Sequence, residues 1–377
     1  MRAVSLLVLV AVPAWARADV SVGASVGAGA QGAATYGALD LRLDAAWPNI
    51  RLGIGARGVW DDAEFRRSDW NGVGSVLTLV RDFEATRDVG DTRFSVAAGA
   101  LAPAHITHVV NGYRAALDDR FHTGIRAAAE QTDLDAVLEV DDVLDPALIA
   151  GGLRFAMAPP YAMHLGIAID PSAPAMDGTH TITAIEAGAS SRFEGFRARA
   201  DVGVSVVAEI SLGAGVVAFA NGAAERGGVL WTARADAQAG TGTAGSLFGP
   251  LYRIERLAHD GRASEWDRAH AGDLNGASVG FAVGAGIPTG WLELGARARP
   301  GLGGLVFASG GAPMGRYVQA GMWAAAGRDD AAGAGELRVA WAKRMFSALQ
   351  VARMYRLDPM EPISLWSVTA WFGATSQ

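Results

Sequence analysis

The chain has 377 residues, of which 50% are hydrophobic and 19% are charged, with a formal net charge of −7 and no cysteine. The acidic balance disfavours a nucleic-acid partner, which needs a clustered basic surface. The missing cysteines exclude disulfides, cysteine-bound metals and cysteine nucleophiles. The apolar content is more than a soluble protein needs, yet beyond the N-terminus no apolar run is long enough for a membrane-spanning helix.

The first 18 residues have the three parts of a secretory signal peptide. Arg2 supplies the positive start, residues 6–12 form an apolar centre, and Ala16-Arg17-Ala18 matches an A-x-A cleavage site. The apolar run over 3–16 is too short to cross about 30 Å of hydrocarbon as a helix. The sequence therefore predicts a signal peptide over 1–18 and one domain over 19–377.

The next segments alternate apolar and polar residues in the manner of strands. Alternate leucines over 39–43 and a second alternating run from Ile50 flank a turn at 47–49. Because successive side chains of a strand point to opposite faces, each strand has one apolar and one polar face. Weaker alternation over 75–83 and 92–101 predicts two further strands.

The longest alternating stretch covers residues 197–220. Every even-numbered residue in it is apolar or small, whereas the odd-numbered residues include Arg199, Asp201 and Glu209. Strands are usually about 5–6 residues long, and we interpret this stretch as one unusually long strand. Long two-faced strands repeated along a chain are typical of a barrel with lipid outside and water inside.

Short turns and longer loops roughly alternate along the chain. Outer-membrane barrels have short periplasmic turns and long external loops. If the N-terminus is periplasmic and 197–220 is one strand, all the turns fall on the inner side and all the loops on the outer side. The predicted turns are 47–49, 131–133, 158–160 and 288–290. The predicted loops are 61–72, 102–120, 221–228, 258–276 and 357–363.

These patterns predict an all-β fold, namely a single transmembrane antiparallel up-and-down β-barrel. We expect about 18 strands, in a range of about 16–20. A closed barrel leaves no open strand edge, so it also explains how an exported chain is held together without disulfides.

With these strands in place, the chain resembles porin-like outer-membrane β-barrels of Gram-negative bacteria over nearly all of residues 19–377. More narrowly, residues 109–155 look like a stretch found in outer-membrane proteins of high-GC Gram-negatives. One departure concerns the C-terminus, where such barrels commonly end on an aromatic residue that the assembly machinery reads. Here Phe372 is followed by five more residues.

The polar face of the predicted strands carries charges of both signs. One interpretation is a charged pore in which arginine and acid rows set ion preference. The other is that these groups pair across strands and fill a closed lumen. We favour a water-filled or loop-plugged lumen, because side chains alone cannot fill so wide a barrel. The candidate lumen-lining residues are Arg51, Arg57, Arg126, Asp135, Glu139, Arg154, Asp170, Arg197, Arg199, Asp201, Arg234, Asp236, Arg297, Arg299 and Arg338.

The irregular stretch 102–120 has two interpretations that the sequence leaves open. It folds into the barrel as a constriction, or it forms a solvated external loop. His105 and His108 lie in it and could bind a metal, but two histidines without a third ligand more often lie at a surface. The sequence therefore predicts no metal site and no cofactor.

The function that this pattern favours is a passive outer-membrane channel for small polar solutes, without catalysis. The alternative is a non-conducting structural or adhesive barrel whose long loops bind a partner. A soluble secreted β-protein and an outer-membrane hydrolase are less favoured; for the hydrolase, Asp141 and Asp142 with His122 or His164 are only suggestive. The expected partners are outer-membrane lipid, the assembly machinery and, in an oligomer, further copies of the chain.

Overall fold

Strands of 7 to 18 residues follow one another along the chain, and nearly all pair with their sequence neighbours. The structure is a computed structural model. The residues that it describes are 19–31, 34–61, 64–65, 77–101, 104–106, 108–113, 122–158, 160–210, 212–241, 248–258, 263–299, 301–314, 317–328, 330–342, 344–357 and 362–375. The predicted signal peptide, 1–18, lies outside them.

The strands are labelled in chain order. They are β1 (Asp19–Gln31), β2 (Ala34–Trp47), β3 (Ile50–Asp61), β4 (Glu64–Phe65), β5 (Val80–Val89), β6 (Thr92–Gly99), β7 (Ala104–His105), β8 (Asn111–Tyr113), β9 (Gly124–Glu130), β10 (Leu134–Val140), β11 (Ile149–Ala156), β12 (Tyr161–Ala175), β13 (Gly178–Gly195), β14 (Ala198–Ile210), β15 (Gly213–Arg226), β16 (Val229–Gly240), β17 (Gly276–Ile287), β18 (Gly290–Arg299), β19 (Gly303–Pro313), β20 (Val318–Ala326), β21 (Ala331–Ala342), β22 (Met345–Leu357) and β23 (Pro362–Thr375). Two short helices, Tyr252–Glu255 and Glu265–Ala271, lie between β16 and β17.

Twenty of these strands form a closed antiparallel barrel. The ring closes where β1 pairs with β23, from Gly23 opposite Thr375 to Gln31 opposite Ser367. The short strand β4 pairs antiparallel with the end of β3, and β7 pairs only with β8. The predicted antiparallel barrel is confirmed, but the expected number of about 18 strands was slightly low.

The stretch 197–220 is two strands rather than the single strand that we predicted. Strand β14 ends at Ile210 and β15 begins at Gly213, so two residues connect them. A connection of two residues keeps odd and even positions on their original faces, because the period of a strand is also two. The alternation therefore continues through the turn as if the strand were unbroken.

The outer face of the barrel is apolar and exposed. In β14, Val204 and Val206 are 56% and 58% exposed, whereas Ser205 and Val207 between and after them are buried. A soluble sandwich would bury both valines against a second sheet, so the soluble alternative is wrong for this fold. A continuous apolar exterior on a closed barrel is the surface that a lipid bilayer requires.

Exposed aromatic side chains gather where the outer face meets the tight turns. Trp231, Trp291 and Trp341 are each more than half exposed, and each lies within four residues of a turn between barrel strands. Such girdles mark the membrane–water interface of transmembrane barrels. Among the described residues, no helix is long and apolar enough to cross a membrane.

The two ends of the barrel differ in the length of their connections. The first end, here called the terminal end, holds Asp19, Thr375 and only short turns. The other, here called the loop end, holds every long connection: 62–79, 100–123, 141–148 and 241–275. All four predicted turns lie at the terminal end, as expected. Of the predicted loops, 221–228 is wrong, because it is the end of β15 and a tight turn at the terminal end.

Candidate functional site

The inner face of the barrel carries charges that pair between neighbouring strands or between strands two apart. Arg297 Nη2 lies 2.6 Å from Asp236 Oδ1, and Arg154 Nη1 lies 3.4 Å from Asp135 Oδ2. Arg126 donates to Glu139 one strand away. Arginines and acids therefore alternate around the wall, and neither sign dominates it.

Fourteen of the fifteen predicted lumen residues lie on this inner face, as the residue pairs between neighbouring strands show. Each of them stands beside a residue of the same face on the next strand, as Asp135 does with Arg154 and Glu130. Two of these arginines lie over aromatic rings: Arg57 over Trp371 and Arg338 over Phe346, the latter at 3.7 Å from the ring centroid.

Arg197 is the exception among the predicted residues. It occupies the two-residue turn between β13 and β14, where its φ of 61° is unusual for a residue with a side chain. It is exposed at the terminal end rather than on the barrel wall. Arg197 has the same parity as Arg199, but the alternation does not indicate that strand β14 begins only at Ala198.

One sector of the wall, formed by β1 to β6, keeps its charged groups accessible. Arg42 and Asp82 form an ion pair there, and both side chains are 46% exposed. Arg51 and Glu84, one step closer to the terminal end, are more exposed still. Within the described part of the chain, this sector is the uncovered side of the lumen.

The opposite sector is covered by two segments from the loop end. The first is the described part of 104–113, and the second is the described part of 248–275 with its two helices; together they are here called the plug. They meet where Val110 forms a parallel bridge with Phe248, and both residues are fully buried. The constriction interpretation of 102–120 therefore holds for its described residues. The expectation that 258–276 is an external loop is wrong, because Glu265 and Arg268 are buried.

Asp170 holds the plug to the wall. Its side chain on β12 is fully buried and accepts hydrogen bonds from Tyr252 Oη at 2.7 Å and from Arg256 Nη1 at 2.7 Å. Both donors belong to the segment 248–275. A buried carboxylate is stable only when its charge is paired and its oxygens are hydrogen-bonded, and Asp170 meets both conditions.

Two further ion pairs anchor the same segment. Arg253 Nη1 donates to Asp141 Oδ2 at 3.0 Å, and Tyr113 also donates to this carboxylate, so Asp141 joins both parts of the plug. On the other side, Arg299 of β18 donates to both oxygens of Glu255, at 2.7 and 2.5 Å. Bidentate pairs of this kind fix orientation as well as position.

Among the described acids of the plug, Glu265 is the one with a buried carboxylate oxygen that accepts no hydrogen bond. It begins the helix Glu265–Ala271, it is 1% exposed, and its Oε2 atom has no hydrogen-bond partner among the described residues. Burial and the nearby Glu255 raise the pKa of Glu265 to about 8, although Arg268 and Arg299 act in the opposite direction. Docked in this way, the side chain holds its proton at neutral pH.

We expect the docking of 248–275 to weaken as the pH rises from about 4.5, the ordinary pKa of glutamate, to about 8. The docked state binds a proton that the released state has lost, so a higher pH favours release until both states are ionised. Trypsin cleavage after Arg253 or Arg256 against pH measures the released fraction. Glu265→Gln should flatten the profile, and the exposed Glu225→Gln should not; equal profiles for all three proteins would contradict the assignment.

Two histidines and a glutamate meet where the first plug segment contacts the wall. His108 Nδ1 lies 2.6 Å from Glu186 Oε1, and the backbone amide of His108 donates to the other oxygen at 2.9 Å. His164 Nε2 lies 3.5 Å from Glu186 Oε1 and 2.7 Å from Ser205 Oγ. The interpretation of His108 as a surface residue is wrong, and the side chain of His105 lies outside the described residues.

This group does not have the geometry of a serine hydrolase. A catalytic triad needs the acid on one ring nitrogen and the serine on the other, but Glu186 and Ser205 both approach Nε2 of His164. The pattern G-x-S-x-G does occur at 23–27 and 276–280, but Ser25 and Ser278 lie within β1 and β17 rather than at a strand-to-helix turn.

Comparisons with known proteins show no family for this chain. No protein-family model and no curated protein matches the sequence. Among solved structures, the chain is similar to a BenF-like porin from Pseudomonas fluorescens Pf-5, with a TM-score of 0.37, 9% identity and 95% and 98% of the two chains covered. It is also similar to Pseudomonas aeruginosa OccK2 (OpdF) in complex with glucuronate, with a TM-score of 0.39, 10% identity and coverage of 96% and 99%. A third similar structure is Pseudomonas aeruginosa OpdK with vanillate, with a TM-score of 0.35, 8% identity and coverage of 96% and 99%. At such low TM-scores these similarities carry no family, ligand or mechanism over to this chain. The closed barrel itself is shown by the strand pairing.

Proposed function

We propose that this protein is an outer-membrane β-barrel that acts as a passive channel for small polar solutes. The observation that carries the proposal is the contrast between the two sectors of the inner wall. The plug buries Asp170 completely, whereas the ion pair of Arg42 and Asp82 on the other sector is about half exposed. A charged wall facing water on one side of a plugged barrel offers a narrow aqueous path.

The mechanism needs no chemistry beyond diffusion along this wall. Hydrated solutes would pass the exposed groups of β1 to β6, among them Arg42, Asp82 and Glu84, while the plug sets the width. Because acids and arginines alternate, the local field lies across the path rather than along it, and selectivity between small anions and cations should be weak. The candidate lumen residues of β9 to β19, by contrast, mainly brace the wall and the plug.

The setting of such a channel follows from its outer face. An apolar exterior with an aromatic girdle needs a bilayer, and a barrel of this kind reaches the outer membrane through export and the assembly machinery. We propose that residues 1–18 serve as the signal peptide and 19–377 as the barrel domain. The terminal end would then face the periplasm, and the plug would enter from the external side.

Planar-bilayer recording of the purified, detergent-folded protein tests the proposal. We expect discrete current steps with a reversal potential near zero in a salt gradient, which reports weak charge selectivity. Arg42→Glu should shift the reversal potential towards cation preference, because it reverses a charge on the proposed path. The matched change Arg297→Glu, in the covered sector, should shift it less. An absence of current steps from a heat-modifiable, folded protein would favour the non-conducting alternative.

A further inference from the structure

The group formed by His108, His164 and Glu186 has the composition of a transition-metal site. Their ligand atoms all lie within 4.8 Å of one another. Two imidazoles and one carboxylate, with an open fourth position, are a ligand set that binds Zn²⁺. The three side chains come from the plug segment 104–113, from β12 and from β13, so no single element of the sequence contains the set.

The distances are close to those that a bound ion would need. A tetrahedral zinc ion with ligands at about 2.0–2.2 Å separates neighbouring ligand atoms by about 3.3 Å. His164 Nε2 and Glu186 Oε1 are 3.5 Å apart. His108 Nδ1 is closer to the same oxygen, at 2.6 Å, because the two share a proton in a hydrogen bond. A metal ion on Nδ1 would take the place of that hydrogen bond, and the ring proton would move to Nε2 of His108.

The surroundings hold the ligands in place. The ring of His108 stacks on Phe219 with 3.9 Å between centroids, and the carboxylate of Glu186 is almost fully buried. Gly188 leaves the room that His164 occupies, since a methyl group there would press on the Nε2 atom and on Ser205 Oγ. A preformed pocket with a buried carboxylate reduces the reorganisation that binding requires.

We propose that His108, His164 and Glu186 bind one divalent transition-metal ion, with Zn²⁺ as the representative, and that Ser205 Oγ or water completes the coordination. Such an ion would join the plug segment 104–113 to the barrel wall. This inference does not depend on whether the barrel conducts, because binding is measured on the folded protein without a membrane potential.

Titration calorimetry of Zn²⁺ into the detergent-folded, full-length barrel tests the proposal. We expect one equivalent of Zn²⁺ to bind. His164→Gln and Glu186→Gln should each weaken binding at least tenfold. His180→Gln is the matched control, because His180 also pairs with an acid, Asp177 at 2.7 Å, but lies at the loop end outside the group.

Co²⁺ supplies a second readout that does not depend on affinity. In a four-coordinate site of nitrogen and oxygen ligands its visible absorption is far stronger than in water, and His108→Gln should abolish that band. A gel shift on heating shows that each variant is folded. The proposal is overturned if folded wild-type protein binds no Zn²⁺ at millimolar concentration, or if His164→Gln binds as tightly as wild type.

Discussion

Replacing Asp170 by alanine should release the segment 248–275 from the barrel wall and raise the single-channel conductance severalfold. The change leaves Arg256 and the hydroxyl of Tyr252 buried without the carboxylate that they share. Removing one partner of a buried ion pair costs about 3–5 kcal/mol, which shifts the docking equilibrium roughly a hundred- to a thousandfold or more. Trypsin should then cut more readily after Arg253 or Arg256, two arginines that are buried in the docked segment.

Asp201→Ala is the matched control for this experiment. Asp201 is also an inner-face aspartate in an ion pair, with Arg192 Nε at 2.9 Å, but both partners belong to barrel strands. Its loss should change neither the conductance nor the trypsin pattern by a comparable amount. If Asp170→Ala leaves both readouts at the wild-type level in a folded barrel, the anchor that we assign to Asp170 does not hold the plug.

The difference between contacts within the barrel wall and contacts between the plug and the wall explains how much of the molecule the sequence could predict. The period of two fixes which face of a strand is apolar, and it survives an error in strand number because a two-residue turn preserves the parity. The pattern therefore assigns Arg199 and Asp201 to the polar face whether 197–220 is one strand or two. The outer and inner faces are local properties, so a single sequence is enough to predict them.

The contacts between the plug and the barrel wall are not a local property of the sequence. Asp170 and Arg256 are 86 residues apart in the chain, and His108 and Glu186 are 78 residues apart. Nothing in the spacing of the loop residues indicates which strand they will contact, and a run of charged residues in a loop usually lies in water. One signal was available: the buried loop carries Phe248, Leu251, Tyr252 and Ile254 among its charges, more apolar surface than an external loop can leave exposed.

The proposed metal ligands also divide into residues that the strand pattern predicts and one that it does not. Parity placed His164 on the inner face from the sequence, and it places Glu186 there equally well. What the sequence could not supply is the inward turn that brings His108 to them. Two residues of a site can therefore be predicted from strand pattern, while the third depends on how a loop packs.

A charge placed on the outer face should destabilise the barrel according to its depth. Val204 lies at the middle of β14, on the outer face, and is 56% exposed. We expect Val204→Arg to lower the free energy of unfolding in lipid vesicles by about 2–4 kcal/mol, because a guanidinium at the bilayer midplane loses its hydration. The fraction of heat-modifiable protein against urea concentration measures the change.

Ile210→Arg makes this a test of depth rather than of charge. Ile210 is the last residue of the same strand, on the same face, and is 54% exposed. Near the interface the arginine reaches water, so the expected loss is only about 0–1 kcal/mol. Neither change touches the inner wall, so folded channels of both variants should conduct like the wild type. Equal destabilisation by the two arginines would mean that β14 does not cross the bilayer as its exposed face indicates. That result would also contradict the proposed location of the channel in the outer membrane.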